Sequence, residues 1–210
     1  MTFTPKSPVT SRAALRAILP EPTSVRVLHK DMSRLNALAR DFIALSPFAV
    51  LSTRGADGSI ATSPRGDAAG FVRVADDHTL LLPDRLGNQR LDSFENILRH
   101  PEVGLLFLIP GHTETLRVSG RAQILRDEDI RAALAHNGRL PDLALAITVE
   151  RVFMHCSKAF VRSALWRSET WPARRSAPTL AQWAAEAAPS ELNLTQIQEM
   201  HDEDARTRLY

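Results

Sequence analysis

The sequence predicts a mainly β protein, an antiparallel barrel of about six strands with added helices. Short apolar segments follow one another in hairpin order, separated by polar turns. Only short helical stretches interrupt them. Neither a P-loop nor a G-x-G-x-x-G motif opening a helix after the first strand is present, which argues against a parallel βαβ sheet. With 210 residues the chain is long enough for one domain with a substantial core.

The first 46 residues are predicted to form a helical extension. A short helix around Ser11 to Leu19 should end at the prolines that follow. A longer helix is expected from about Met32 to Ser46, with Pro47 as its stop signal. The β domain is expected over residues 47–166, with a helical tail packed on it over residues 167–210.

Two hairpins should follow the first helices. The segments FAVLSTR and IATSPR flank a turn at residues 56–59, whose Asp-Gly pair favours a tight connection. The segments GFVRVA and TLLLP flank a second turn at residues 76–78. A helix from Gln89 to Arg99 should come next, because Leu91, Phe94, Ile97 and Leu98 share one helical face.

The later strands are longer and more apolar. The segment Val103 to Ile109 is apolar throughout, which predicts a central strand covered on both faces. Gly120 indicates a bulge or bend in the next strand, ETLRVSGRAQIL, of the kind that helps to close barrels. A helix from Asp127 to Asn137 should precede a last strand, ALAITVERVFMH, and short helices are expected around Arg162, over 180–187 and over 197–206.

Composition and charge exclude several classes of protein. The chain is 44% apolar and 24% charged, as in ordinary globular proteins, and it has no apolar run long enough to span a bilayer. The N-terminus lacks the apolar core of a secretory signal, so a cytoplasmic location is expected. Cys156 is the only cysteine, which excludes an internal disulfide. A net charge of +2 gives no global field for nucleic acid.

Two polar segments at strand ends are the candidate functional motifs. The first is Ser63-Pro64-Arg65-Gly66-Asp67, and the second runs from Pro83 to Arg90. The second lies where a strand gives way to a helix, and a helix start offers unpaired backbone N–H groups. Flanking arginines add charge-assisted donors, so these segments can hold a phosphate. The alternative interpretation is that Pro, Asp, Gly and Asn only shape and cap turns.

Several ordered motifs resemble the pyridoxamine 5′-phosphate oxidase-like family of FMN-binding split barrels. They lie in TLLLPDRLGNQRLDSFENILRHPEVGLLFLIPGHTETLRVSGRAQIL: a basic pair opens a helix, His-Pro precedes an apolar strand, and a later strand carries Val-x-Gly-Arg-Ala. The hairpin from Phe48 to Arg65 resembles the first hairpin of the family. The likeness covers roughly residues 42–166.

The resemblance implies a homodimer with FMN at the subunit interface. It places Arg85 and Arg90 at the basic positions, Asn88 in place of a small hydroxyl residue, and Thr115 where the oxidase has a flavin-facing Gln. Residues after the last strand would reach the flavin of the partner subunit. The implied cofactor-binding residues are Ser63, Arg65, Pro83, Asp84, Arg85, Asn88, Gln89, Arg90, Thr115, Lys158, Arg162 and Trp166.

The expected function is that of an FMN-dependent oxidoreductase acting on an unidentified small substrate. The C-terminal signature that the true oxidases use for pyridoxal phosphate is not recognisable, which argues against vitamin B6 oxidation. No catalytic side chain is named, because hydride transfer to a flavin needs no acid or base. The alternatives are a flavin-binding or flavin-sequestering protein without turnover, and use of the same barrel for haem or a deazaflavin.

No metal site is expected. His155 and Cys156 are adjacent on a strand, so their side chains should point to opposite faces. His112 and Glu114 give two ligands without a third, and they are interpreted as turn residues. Among the three tryptophans, Trp166 is the best candidate for stacking on a flavin ring.

Overall fold

The computed structural model describes residues 2–173, 176–187 and 192–209, so parts of the predicted C-terminal tail lie outside the described residues. The chain divides into two compact units, one up to Asp31 and one from Met32. The first unit holds α1 (Arg12–Ile18), capped by the side chain of Ser11, and a short α2 (Val25–Leu28) that the sequence did not predict.

The second unit begins with an extended segment rather than with a helix. Met32 forms an isolated β-bridge to Val152, which keeps the backbone extended where a helix was predicted. The helix α3 (Ala37–Leu45) therefore starts later, and the side chain of Asn36 caps it by accepting a hydrogen bond from the backbone N–H of Ala39 at 2.9 Å.

One seven-stranded antiparallel sheet forms the centre of this unit, which confirms the mainly β prediction with one strand more than expected. The strand order is β2-β1-β5-β6-β7-β4-β3. The strands are β1 (Phe48–Arg54), β2 (Ile60–Gly66), β3 (Arg73–Val74), β4 (Thr79–Pro83), β5 (Glu102–Leu108), β6 (Thr115–Leu125) and β7 (Ala144–His155).

Further helices follow α3 in the second unit. They are α4 (Asp92–Arg99), α5 (Glu128–Ala133), α6 (Lys158–Ser163), α7 (Leu180–Ala187) and α8 (Leu194–Thr207), with a 3₁₀ turn at Ser168–Thr170. The predicted start of α4 at Gln89 is wrong, because Gln89 and Leu91 have left-handed φ angles of 58° and 57°. The end of α5 was predicted too late for the same reason, since Asn137 has φ 48°.

The strand β5 is central, as predicted, but only one of its faces is fully covered. It pairs with β1 on one side and with β6 on the other. Val103, Leu105 and Phe107 are buried, whereas the alternate residues Leu106 and Leu108 are half-buried. The expectation of two covered faces is therefore wrong for the single chain.

A bulge in β6 bends the sheet at Gly120. The register against β7 shifts between Ser119 and Gly120. A Cβ placed on Gly120 would lie 1.9 Å from the carbonyl oxygen of Thr148 on β7, so only glycine allows this close approach of two backbones. The bulge predicted from the sequence is confirmed.

Membrane-spanning helices are not found within the described ranges: none of the helices there is long and apolar enough to cross a bilayer.

We expect Gly120→Ala to destabilise the fold. The added methyl forces β6 and β7 apart, and overpacking of this kind typically lowers the free energy of unfolding by about 1–3 kcal/mol. Urea denaturation measures the change. Gly104→Ala on β5 is the matched control, since its new Cβ would come no closer than 3.9 Å to the Cβ of Ser52. Equal stability of both variants would contradict the role of the close approach.

Candidate functional site

A large cleft lies between β2, at one edge of the sheet, and β4, which is next to the opposite edge. It has a volume of about 1020 Å³ and is lined by β2, by the connection from β4 to α4 and by the segment before β7. In the strand order β2 and β4 are separated by β1, β5, β6 and β7. Both line one cleft, so the sheet curls until these two strands approach each other without pairing into a closed barrel.

Two arginine–aspartate pairs cross this gap. Arg65 on β2 lies with Nη1 3.3 Å from Oδ1 of Asp84, which follows β4. In the second pair the arginine follows β4 and the aspartate follows β2. Arg85 donates from Nε to Oδ2 of Asp67 at 2.6 Å. The two arginine side chains are only 18% and 17% exposed. Each end of the gap therefore supplies one cation and one carboxylate.

Asp67 connects three segments around the cleft. Its side chain is 1% exposed. Besides the bond from Arg85, its Oδ1 lies 3.5 Å from Nδ1 of His136, which follows α5. Arg85 also donates from Nη2 to the carbonyl oxygen of Leu134 at 3.1 Å. The carboxylate and its guanidinium partner thus tie the α5–β7 connection to the cleft.

Asp84 is a carboxyl group with an unusual environment. Burial raises the pKa of Asp84, and the negative charge of Asp142 raises it further, while Arg65 and Arg85 oppose the rise only in part. The backbone N–H of Asp84 donates to the carbonyl of Leu143 at 3.0 Å, which continues the β4–β7 ladder into the cleft.

Arg65 offers a donor to the cleft. Its Nε is buried and has no hydrogen-bond partner among the described residues. Its guanidinium carbon lies 5.8 Å from the ring centroid of Phe94, which also lines the cleft. A buried donor without a partner is costly in a folded protein, so a ligand oxygen at this point would be stabilising.

The loop from Leu86 to Leu91 forms one rim of the cleft. The side chain of Asn88 accepts a hydrogen bond from the backbone N–H of Arg90 at 3.1 Å. The side chain of Arg90 is 72% exposed, and its Nε donates to Asp92, itself 53% exposed, at 3.0 Å. An exposed ion pair of this kind is weak, so Arg90 can exchange its partner for a ligand anion.

Eight of the twelve residues predicted to bind a cofactor line this one cleft. They come from two distant segments of the sequence, which the curled sheet brings together. These residues are Ser63, Arg65, Pro83, Asp84, Arg85, Asn88, Gln89 and Arg90.

The other four predicted residues are not among the lining residues of this cleft in the described chain. Thr115 is buried, 3% exposed, and pairs with His155 in the β6–β7 ladder. Trp166 donates from Nε1 to the carbonyl oxygen of His112 at 2.7 Å. Lys158 and Arg162 lie on α6, close in sequence to Trp166, and are exposed.

The sequence prediction missed the third wall of the cleft. Arg139, Leu140, Pro141, Asp142 and Leu143 line it together. The Asn-Gly pair at residues 137–138 was the available signal, because it favours a turn with left-handed φ angles, and these residues have φ 48° and 76°. Extending the predicted helix to Asn137 concealed this turn.

The described residues contain no group of three or more His, Cys, Asp or Glu side chains that could hold a metal ion. His112 and Glu114 approach each other to 3.3 Å, and Thr113 contacts the same carboxylate. These contacts order the β5–β6 turn.

Comparisons with known proteins give one family. The sequence model of the pyridoxamine 5′-phosphate oxidase family matches residues 35–156. No curated protein matches the chain. Similar solved structures include HupZ of Group A Streptococcus, with 21% identity over 57% of this chain and 93% of that chain and a TM-score of 0.48.

Two further solved structures cover similar shares. A putative pyridoxamine 5′-phosphate oxidase from Lactobacillus delbrueckii shares 23% identity over 58% of this chain and 95% of that chain, with a TM-score of 0.47. An FMN-binding protein from Syntrophomonas wolfei shares 14% identity over 56% of this chain and 84% of that chain, with a TM-score of 0.45.

We expect the effect of Asp84→Asn on stability to depend on pH. A carboxyl whose pKa is raised by folding favours the folded state fully below its unfolded pKa, and this contribution is lost as pH rises through the folded pKa. Asparagine cannot ionise. The free energy of unfolding of the variant relative to wild type should therefore increase as pH rises from about 4 to neutral, as measured by urea denaturation.

Asp57→Asn is the control with the opposite sign. Hydrogen bonds from Ser59 lower the pKa of Asp57 in its exposed turn. Its contribution to stability is present above the unfolded pKa and is lost as pH falls, so this variant should lose stability relative to wild type toward neutral pH. The same pH trend for both variants would contradict the assigned environment of Asp84.

Proposed function

The chain belongs to the pyridoxamine 5′-phosphate oxidase family, whose sequence model matches more than half of it, and on that premise we propose that it binds FMN in the cleft between β2 and β4. The proposed activity is that of an oxidoreductase acting on a small substrate. When bound, FMN would supply a ring that accepts and releases electrons. The chain's own residues bind and orient that ring.

The observation that carries this proposal is the convergence of arginines on one cleft. Arg65, Arg90 and Arg139 line it, together with Arg85, which is bonded to Asp67 within the chain. Arginine is the side chain best suited to bind a phosphate through paired hydrogen bonds. The volume of about 1020 Å³ lies at the upper end of the ~300–1,000 Å³ typical of ligand sites, which leaves room for a second small molecule.

The described residues fit FMN. The buried Nε of Arg65 lacks a partner, which is the donor that an oxygen of the ligand would satisfy. Arg90 and Asn88 at the rim can meet the phosphate, because the side chain of Arg90 is exposed and only weakly engaged. Asp84 is the half-buried carboxyl that can exchange a proton within the cleft.

We further propose that two copies of the chain share each FMN site. Lys158, Arg162 and Trp166 do not line the chain's own cleft, so any contact of theirs with the cofactor would come from a partner subunit. The half-buried face of β5, with Leu106 and Leu108, is a surface that a second copy can cover.

We expect Arg90→Ala to weaken the binding of FMN more than the binding of riboflavin. Riboflavin lacks the phosphate, so the loss of about 1.5–3 kcal/mol for a charge-assisted hydrogen bond should fall on FMN alone. Quenching of flavin fluorescence gives both dissociation constants. Arg99→Ala is the matched control, since Arg99 is an exposed arginine of α4 that does not line the cleft. Equal losses for both ligands would assign Arg90 to another role.

The purified protein should also be yellow, with FMN released by acid. A colourless protein that does not quench FMN fluorescence would contradict the proposed cofactor. A haem or deazaflavin spectrum would identify one of the alternative cofactors instead. Turnover of the flavin with NADH or NADPH and an acceptor would distinguish an enzyme from a flavin-binding protein without turnover.

We expect complementation between defective protomers. A Lys158→Ala/Arg162→Ala protomer mixed with an Arg65→Ala/Arg90→Ala protomer should regenerate tight FMN binding at up to about half the sites of a pure heterodimer. In such a heterodimer, one site combines the unchanged cleft of the first protomer with the unchanged α6 residues of the second. Absence of recovery, with the heterodimer verified by mass spectrometry, would show that the α6 residues do not act across an interface.

A further inference from the structure

We propose that Asp67 is a positioning residue for the cofactor cleft. It holds Arg85 and His136 and, through them, the segment from Leu134 to Leu143, whose second half is the third wall. Arg85 therefore serves this wall rather than the phosphate. This inference rests on the proposed function only in naming the ligand. The contacts that carry it lie within the chain.

Two hydrogen bonds hold Asp67 in place just after β2. Its backbone N–H donates to the carbonyl of Pro47, which precedes β1, at 3.1 Å, and its Oδ1 accepts from the N–H of Ala68 at 2.7 Å. The side chain is 1% exposed. A buried carboxylate must be paired, and a cation removed from it would leave an uncompensated charge.

Arg85 is committed to this carboxylate. Its Nε donates to Asp67 at 2.6 Å and its Nη2 to the carbonyl of Leu134 at 3.1 Å, with a side chain that is 17% exposed. Arg90 differs in each respect, since it is largely exposed and its partner Asp92 is exposed as well. A phosphate can therefore recruit Arg90 at little cost, whereas moving Arg85 away from Asp67 toward a phosphate would break a buried pair.

The third wall depends on these contacts at its start. Leu134 is buried and receives the bond from Arg85, and His136 lies beside Asp67. The chain then turns at residues 137–138 and returns along the cleft. A further hydrogen bond holds this segment later in the chain: Arg131 on α5 donates from Nε to the carbonyl oxygen of Pro141 at 2.6 Å.

A positioning role and a phosphate-binding role for Arg85 predict different ligand selectivity. If Arg85 binds the phosphate, its loss weakens the binding of FMN and leaves the binding of riboflavin unchanged. If Arg85 and Asp67 hold the wall, both ligands lose the same factor, and Asp67→Asn reproduces the loss although a carboxylate is no phosphate ligand. The two substitutions should also be non-additive, because they remove the same contact.

The test compares Asp67→Asn, Arg85→Met and the double variant. We expect each to weaken the binding of FMN and of riboflavin by the same factor, about tenfold as for residues that support metal ligands, with faster dissociation of both flavins. Arg85→Lys should recover part of the affinity, because lysine keeps a charge near Asp67 but lacks the second donor of the guanidinium fork. The affinity of the double variant for each flavin should be no lower than that of the single variant with the lower affinity.

Two variants keep the test decisive. Glu102→Gln removes the carboxylate of another arginine pair, that of Glu102 with Arg121 on the exposed β5–β6 surface, and should leave both affinities unchanged. His136→Gln replaces the half-buried histidine beside Asp67 and should give a smaller, equally unselective loss. This variant provides the test if Asp67→Asn does not fold. Circular dichroism at the assay temperature verifies folding.

Hydrogen exchange separates this inference from the proposed function. In Asp67→Asn, backbone amides of residues 134–143 should exchange faster than in wild type, with or without flavin, while those of β5 and β6 should not. Unchanged exchange in the wall would overturn the inference, and so would a selective loss of FMN in Arg85→Met. A wild type that binds neither flavin would refute the proposed function, and the exchange data would still decide the role of Asp67.

Discussion

The two arginine–aspartate pairs across the gap between β2 and β4 are the constraint on which the site depends. They join strands that are far apart in the sheet order and that share no ladder. The bend at Gly120 and the long ladder of β6 with β7 bring these ends near each other, and the pairs then fix their separation. Because largely buried ion pairs often add little net stability, we infer that their main effect is to specify one width of the cleft.

The sequence predicted the strands well and the cleft only in part. Alternating apolar residues and an Asp-Gly turn located β1, β2 and β7 closely, because those signals are local. Helix starts were predicted less well, since φ angles at Gln89 and Leu91 depend on the surrounding loop and not on apolar spacing. The third wall was hidden because its contacts to Asp67 and Arg85 join residues far apart in the chain.

The arginines of the cleft show why residue type alone does not assign a role. Arg85 and Arg90 are separated by five positions in the same segment, and both were predicted from the sequence to bind the cofactor. Burial and partner distinguish them, because one faces a buried carboxylate and the other an exposed one. Arg65 is intermediate: its Nη1 contacts Asp84 at 3.3 Å, while its Nε keeps an unsatisfied donor.

The edges of the sheet limit how the chain can associate. At one edge, β2 contains Pro64, which lacks a backbone N–H, and at the other edge β3 has only two residues. Neither edge is a good template for adding a strand from another molecule, by the means with which natural β proteins avoid uncontrolled aggregation. If two copies of this chain associate as proposed, these edges favour a contact made by side chains over the addition of strands to one continuous sheet.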